Sequence, residues 1–297
     1  MTALLDRRGA MTVVGGAMVA ACAGPRIATP QQRPLGLANI TVRRELNEDY
    51  AGTLRKIAAM GYTHFGFPIA QMSPQMPIGP SPQNIAAMVR DAGLEVGVVR
   101  YGLASPAGEQ MAAAAEIGAS IIAYTAAPVF FEGKELGTTT RNAFDAWLPD
   151  LRVLSDEARA AGLKLAYHNH FWDHRPLGGE TPLDIIARTY SPAEVAFEID
   201  LAWALLGGEN PVDLVRRLGP RVVSTHLKDV DRARGQTMFD QLVAPGEGEL
   251  EYANLIQELD RLTNAIGYVE VDNPADGLQA ALTGARAVQA ARAAKHG

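Results

Sequence analysis

The sequence predicts an α/β fold, a single (β/α)8 barrel, on three observations. Eight short β-type runs alternate with longer amphipathic segments. About 260 residues carry that alternation, the size of eight such units. No glycine-rich dinucleotide fingerprint follows the first run, which weighs against a doubly wound open sheet. With 297 residues and 47% hydrophobic content, the chain can bury a large core, and neither an internal repeat nor a shift in composition marks a second domain. A net charge of −6 with no Lys/Arg-rich stretch excludes nucleic-acid binding through a general basic surface and favours a small polar ligand.

The N-terminus reads differently from the rest. In "DRRGAMTVVGGAMVAACAG", Arg7 and Arg8 precede an apolar run that ends in small residues, the order of a secretory signal, and the arginine pair resembles a twin-arginine (Tat) signal. The run is shorter than the roughly 20 residues of a membrane-spanning helix. Cys22, the single cysteine, sits in "VAAC", which resembles a bacterial lipobox. The overlapping Ala21-Cys22-Ala23 is a small-x-small cleavage pattern that would discard it, so a lipid-anchored and a free periplasmic form both stand. Residues 1–23 are therefore read as an export signal and 24–35 ("GPRIATPQQRPL") as a tether. The barrel occupies 36–297 and has no cysteine for disulfides or nucleophilic catalysis.

Within the barrel the expected strands are "LANIT" (37–41), "THFGF" (63–67), "EVGVVRY" (95–101), "SIIAYT" (120–125), "LKLAYHN" (163–169), "EVAFEID" (194–200), "RVVSTHL" (221–227) and "GYVEVD" (267–272). The segments between them, such as "EDYAGTLRKIAAMGY" and "EYANLIQELDRLTNAIGY", repeat apolar residues at three-to-four spacing. Ser81-Pro82 and Thr181-Pro182 pair a capping hydroxyl with a first-turn proline, and Gly61, Gly93, Gly118 and Gly162 are placed as C-terminal caps.

Active sites of such barrels form at the C-terminal ends of the strands. There, strands five to eight end in "YHNH", "FEID", "STHLKD" and "VEVD", bringing His168, Asp200, His226 and Glu270 to one rim. Two imidazoles and two carboxylates suit a divalent cation, whether Mn, Co, Zn, Mg or Fe. Singly, each has a plainer reading: a strand-end histidine as a hydrogen-bonded structural residue, Asp200 as a helix cap, Glu270 as the partner of a lysine. Four on adjacent strands favour the metal.

"AGLKLAYHNH", "VAFEIDLAW", "VVSTHLKD", "PGEGELEYANLIQEL" and "GYVEVD" together resemble the sugar phosphate isomerase/epimerase-like family of the xylose isomerase-like TIM barrel superfamily. The resemblance implies a metal set of His168, Asp200, His226 and Glu270. It departs from the epimerases at His168, where they usually carry glutamate and use it with the strand-eight glutamate as an acid/base pair; His170 is the alternative in that role. Arg100 in "VVRYG" stands where many relatives have histidine, and Phe67 where many have glutamate. Arg100 would bind a substrate oxygen or form a structural ion pair. Trp203, in Asp200-Leu-Ala-Trp203, would stack on a sugar ring or pack.

A cation on a sugar carbonyl and its neighbouring hydroxyl would acidify the adjacent C–H and stabilise an enediolate. Where the proton returns separates epimerisation, isomerisation and elimination. Glu270 and His170 are the acid/base candidates, with Arg100, Lys228, Trp203 and Asn169, which also orients its turn, as substrate contacts. Lys228 is preferred over Asp229 because strand alternation gives it the direction of His226; a Lys-Asp pair pinning the loop is the structural alternative. "PGEGEL" lacks the Lys-Ser/Thr of a phosphate loop and reads as a turn. Export favours an unphosphorylated sugar or keto-sugar and metal loading before translocation. A 3-keto-glycoside lyase or hydratase is the second expectation, and a non-catalytic periplasmic sugar-binding protein the third. A homo-oligomer is compatible with the alanine-rich C-terminal helix.

Overall fold

Eight parallel strands close into a barrel: β1 Leu35–Ala38, β2 His64–Pro68, β3 Glu95–Arg100, β4 Ile121–Tyr124, β5 Lys164–His168, β6 Ala196–Asp200, β7 Val222–Leu227 and β8 Ile266–Val269. Closure is direct, since Leu37 pairs with Phe65 of β2 on one side and Val269 of β8 on the other. The structure is a computed structural model and describes residues 33–71, 79–102 and 105–294. The signal, the candidate lipobox and Cys22 lie outside them. Among the described residues no helix is long and apolar enough to cross a membrane.

The connecting helices start and stop where their caps dictate. Ser81 and Thr181 accept from the backbone N–H groups of Asn84 and Asp184, each with proline in the first turn. The four expected terminator glycines all have positive φ, between 76° and 95°, which a side chain would resist. "LANIT" is different from its expectation. The strand runs from Leu35, one residue inside the stretch read as tether, to Ala38, and Asn39–Val42 forms a 3-10 turn. Thr41 there spends its hydroxyl on the Val271 N–H, which draws the chain out of the sheet. A short hairpin, Asp229–Val230 with Leu242–Val243, is an addition that strand periodicity does not reveal.

Strand alternation sorts the core into two layers. One face, including Leu37, Phe65, Val99, Leu165, Phe197 and Val269, is buried against the helices. The other points into the barrel, where Val98, Ala123 and Tyr268 form a separate apolar cluster. The Tyr268 ring fills this interior from β8, and its hydroxyl accepts from the Val98 N–H at 3.1 Å. Glycine is required opposite it: a Cβ on Gly36 would lie 2.3 Å from the ring, and one on Gly97 2.6 Å from its hydroxyl. Above Tyr268 the same inward positions turn polar.

Candidate active site

The period of two carries chemistry upward along each strand. Ala166 is followed on the same face by His168 and His170, Ala196 by Glu198 and Asp200, Ser224 by His226 and Lys228, and Tyr268 by Glu270 and Asp272. Arg100 completes the set from β3. His168, Glu198, Asp200, His226, Lys228 and Glu270 are all buried, so their charges must be met by one another.

Glu198 lies at the centre. Its Oε1 accepts from Arg100 Nη1 at 2.6 Å and lies 3.1 Å from His168 Nδ1 and 3.2 Å from His226 Nε2, while Oε2 accepts from Ser224 Oγ at 2.8 Å. Arg100 also reaches His226 Nε2, and Glu270 at 3.8 Å. Burial opposes the Glu198 charge, but Arg100 and His226 outweigh it and hold the carboxyl well below its usual range. Because Glu198 engages Nδ1 of His168 and Nε2 of His226, the opposite nitrogen of each ring is left facing the site.

On that side stand His226 Nδ1, Asp200 Oδ2 and Glu270 Oε1. His226 Nδ1 is 3.4 Å from Asp200 Oδ2 and 3.2 Å from Glu270 Oε1, and neither contact is aligned as a hydrogen bond. Among the described residues, His226 Nδ1 and Asp200 Oδ2 are buried and make no hydrogen bond, although Lys228 Nζ stands 3.0 Å from Asp200 Oδ2 as an ion pair. Asp200 Oδ1 meanwhile accepts from the Trp203 N–H and caps the following helix, so cap and candidate ligand are the two oxygens of one carboxylate. His168, Asp200 and His226 each offer a ligand atom, all within 4.8 Å of one another, a group that could hold a metal ion. Glu270 is beside this trio rather than in it: Lys228 Nζ donates to its Oε1 at 2.9 Å.

Lys228 is fully buried, 3.0 Å from Asp200 Oδ2 and 2.7 Å from Asp272 Oδ2. Burial opposes its charge, yet Asp200, Asp272 and Glu270 hold the ammonium well above the usual lysine range. The same balance holds Glu270 ionised, through His226 and Lys228. Four carboxylates (Glu198, Asp200, Glu270, Asp272) thus face two permanent cations (Arg100, Lys228). His226 adds positive charge on the same side, and burial raises the Asp272 carboxyl above its usual range. His226 reports the same field: burial would lower its basicity, but Glu270 and Glu198 raise it well above the imidazole norm. The nitrogen and oxygen donors of the trio, with His226 Nδ1 buried and making no hydrogen bond, therefore fit a divalent metal.

These features, polar groups on successive strand ends of a closed barrel, can be compared with known proteins. A model of the xylose isomerase-like TIM barrel family matches residues 54–291. The chain belongs to that family. No curated protein matches its sequence. Among solved structures, a sugar phosphate isomerase/epimerase from Parabacteroides distasonis superposes with a TM-score of 0.70 at 18% identity, over 87% of this chain and 96% of that one. An L-ribulose 3-epimerase gives 0.64 at 15%, over 89% and 99%. The IolI protein, solved with a bound zinc atom, gives 0.64 at 14%, over 87% and 97%. At these identities the likeness is one of fold.

In this xylose isomerase-like barrel the expected site residues do not all face the same space. His168, Asp200 and His226 converge, with Glu270 adjoining. His170 stacks on Trp172 (centroids 4.5 Å apart, planes 13°), its Nδ1 buried without a hydrogen-bond partner. Burial, then His168, holds it well below the usual imidazole range, so it is neutral. Arg100, expected as a substrate contact or a structural ion pair, pairs with Glu198, and Lys228, expected as a substrate contact, is engaged by Asp200, Glu270 and Asp272. Trp203 is 1% exposed and packs between His170, Phe171 and Phe239. Asn169 is fully buried: its Oδ1 accepts from the Asp200 N–H, and its Nδ2 donates to the Asp200 carbonyl and to His174 Nε2. Both ends of its amide are taken.

Sequence reasoning missed Glu198 and Asp272. The available signal was alternation: Glu198 and Asp272 stand two residues from Asp200 and Glu270, and an acid inside an apolar strand demands a partner. Asp229 also resolves differently from a Lys-Asp pair. Its two oxygens accept from four backbone N–H groups, those of Val230, Gly246, Gly248 and Leu250. That fixes the "PGEGEL" loop and occupies the amides an anion would need.

Proposed function

We propose that the protein is a metal-dependent isomerase or epimerase-like enzyme acting on an unphosphorylated sugar or keto-sugar by proton abstraction next to a carbonyl. The observation that carries this reading is the buried trio His168, Asp200 and His226, whose ligand atoms all lie within 4.8 Å of one another. These residues, with Glu270 as the fourth, would hold a divalent cation: Mn, Co, Zn, Mg or Fe. When bound, such a cation supplies Lewis acidity toward a carbonyl and its neighbouring hydroxyl. His170, neutral and with a free Nδ1, accepts the substrate proton. Burial and the nearby Lys228 charge then favour its return. Glu270, kept ionised by His226 of the neighbouring strand β7 and by Lys228 just after it, is the second acid/base group. Lys228 and Arg100 fix the carboxylates, and Asn169 and Trp203 set the positions of Asp200 and His170.

The pairing of one imidazole with one carboxylate, instead of two glutamates, favours a second reading, a 3-keto-glycoside lyase or hydratase. A solved neighbour in fold, from Bacillus anthracis, is described as a probable 3-DHS dehydratase. An intact trio of candidate ligands supports catalysis over simple sugar binding. Export through the Arg7-Arg8 signal belongs to the same proposal, as does an unphosphorylated substrate in the periplasm.

Elemental analysis of the purified protein beside an Asp200→Ala, His226→Ala variant tests the centre. About one equivalent of divalent metal is expected in the parent and a loss in the variant; equal absence from both, at micromolar metal supply, would overturn it. Deuterium incorporation next to the carbonyl of keto-sugars in heavy water then tests the chemistry. His170→Ala should lower it by about 10²-fold or more while metal content is kept.

A further inference from the structure

Outside the charged centre, four consecutive strands each contribute an aromatic side chain to the mouth of the barrel. Phe131 follows β4, Trp172 follows β5, Trp203 follows β6 and Phe239 follows β7. They are joined through His170 in an unbroken series of ring contacts: Phe131 to Trp172 at 5.7 Å, Trp172 to His170 at 4.5 Å, His170 to Trp203 at 5.8 Å and Trp203 to Phe239 at 5.3 Å. The middle of the arc is buried and its ends are not. Phe131 is 58% exposed and Phe239 49%, two of the four exposed large hydrophobic side chains among the described residues. Leu136, on the same loop as Phe131, is a third.

The ring angles explain why these phenyl groups stay open. Phe131 meets Trp172 at 77° and Phe239 meets Trp203 at 74°, both edge contacts that leave phenyl faces uncovered. The mount beneath Phe131 is rigid. Gly137 N–H donates to the Phe130 carbonyl at 2.8 Å, and a Cβ on Gly137 would fall 2.6 Å from the Trp172 ring, so the loop lies directly on that indole. Exposed aromatic faces held in place at the rim of a polar site are unfavourable in water, and they mark a surface that something covers.

We propose that this arc is a second-ring subsite: the protein acts on a keto-glycoside, whose ketone-bearing sugar sits at the charged centre and whose aglycone ring stacks on Phe131 or Phe239. The inference rests on the sugar-converting reading above and narrows its substrate class from a free monosaccharide to a two-ring molecule. The shared chemistry of the second ring is a flat, C–H-rich or aromatic face, supplied by a pyranose or an aryl group. A single stack on an exposed phenyl contributes on the order of tenfold in affinity.

The test is calorimetric titration of the metal-loaded full chain with a panel in which each ring-ketone sugar is offered four ways: free, as the methyl glycoside, as a disaccharide and as the phenyl glycoside. Two-ring members should bind about tenfold tighter than the free and methyl forms. In a Phe131→Ala, Phe239→Ala variant with unchanged metal content and melting temperature, that ratio should fall to about twofold or less. A disaccharide preference identifies a pyranose as the second ring, and a phenyl-glycoside preference an aryl group. Equal binding of one- and two-ring members, or a ratio that survives the double substitution, overturns the subsite. So does a dimer that becomes a monomer in the variant, since the two rings would then cover a second copy of the chain. Deuterium exchange into free keto-sugars separates the two readings. If exchange persists without a two-ring preference, only the subsite fails; if it is absent for every sugar offered, the enzymatic reading itself fails.

Discussion

Strands β5–β8 and strands β1–β4 build one barrel from similar apolar residues and end differently. The first four close on Ala38, Pro68, Arg100 and Tyr124, whereas the last four end on or lead into His168, Asp200, His226 and Glu270. Among the described residues, Arg100 is the sole charged group that the first half sends to the centre, and it crosses the interior to Glu198. Below, the traffic is reversed: Tyr268 of the second half fills the space that Gly36 and Gly97 of the first leave open. The difference teaches that barrel closure asks only for apolar, alternating strands. The buried charge is a separate requirement, concentrated in one half and completed by one residue from the other.

Cutting the Arg100–Glu198 link should therefore produce the largest effect. Glu198→Gln leaves the buried guanidinium with only the longer contact to Glu270, and breaking a buried pair in this way costs about 3–5 kcal/mol. Arg100→Met combined with Glu198→Gln removes both charges and should recover most of that loss in urea denaturation. The single and double variants being equally unstable would refute the idea that the halves are joined through this pair.

The same division decided what the sequence disclosed. Eight strands, the helix caps and the residues on the last four strand ends follow from periodicity and position, which are local properties. The partners of those residues do not. Lys228 reads as a free cation in "HLKD", because Asp272, 44 residues onward, is what engages it. His174 reads as part of the loop beyond "YHNH", yet it is buried and its Nδ1 lies 2.7 Å from Glu209 Oε2, 35 residues away. Glu198 lacked notice because a glutamate in a strand ordinarily faces water, and only closure of the barrel shows that both faces of β6 are covered.

A smaller effect, about 3 kcal/mol, should come from behind the charged half. Asp173 is buried under "YHNH", where its oxygens accept from the Tyr167 hydroxyl at 2.7 Å and the His170 N–H at 2.8 Å. Burial outweighs these bonds and raises the carboxyl to about 6. A carboxyl raised in the folded state contributes stability that is full below its unfolded value near 4 and is lost as pH rises through 6. Stability relative to Asp173→Asn should thus fall by about 3 kcal/mol between pH 4 and pH 7, read from urea midpoints across that range. A pH-independent difference would mean that Asp173 is not held in a protonatable state.

The smallest effect distinguishes a ligand from the residue that aims it. Asn169 clamps both backbone groups of Asp200, and His174 braces Asn169: with its Nδ1 proton on Glu209, its Nε2 can accept from the Asn169 amide. The chain of support is graded. Asn169→Ala removes the clamp itself, and loss of such a supporting contact weakens metal binding by about 10–100-fold, or about 1.4–2.7 kcal/mol. His174→Ala leaves both bonds to Asp200 in place and should weaken binding by less than Asn169→Ala. Competition with a chelator gives the two affinities directly. If the barrel merely needs a well-packed loop after β5, both variants will lower the melting temperature and leave the metal affinity where it was. A drop in affinity ordered Asn169→Ala beyond His174→Ala requires that the second half of the barrel positions Asp200 for an ion.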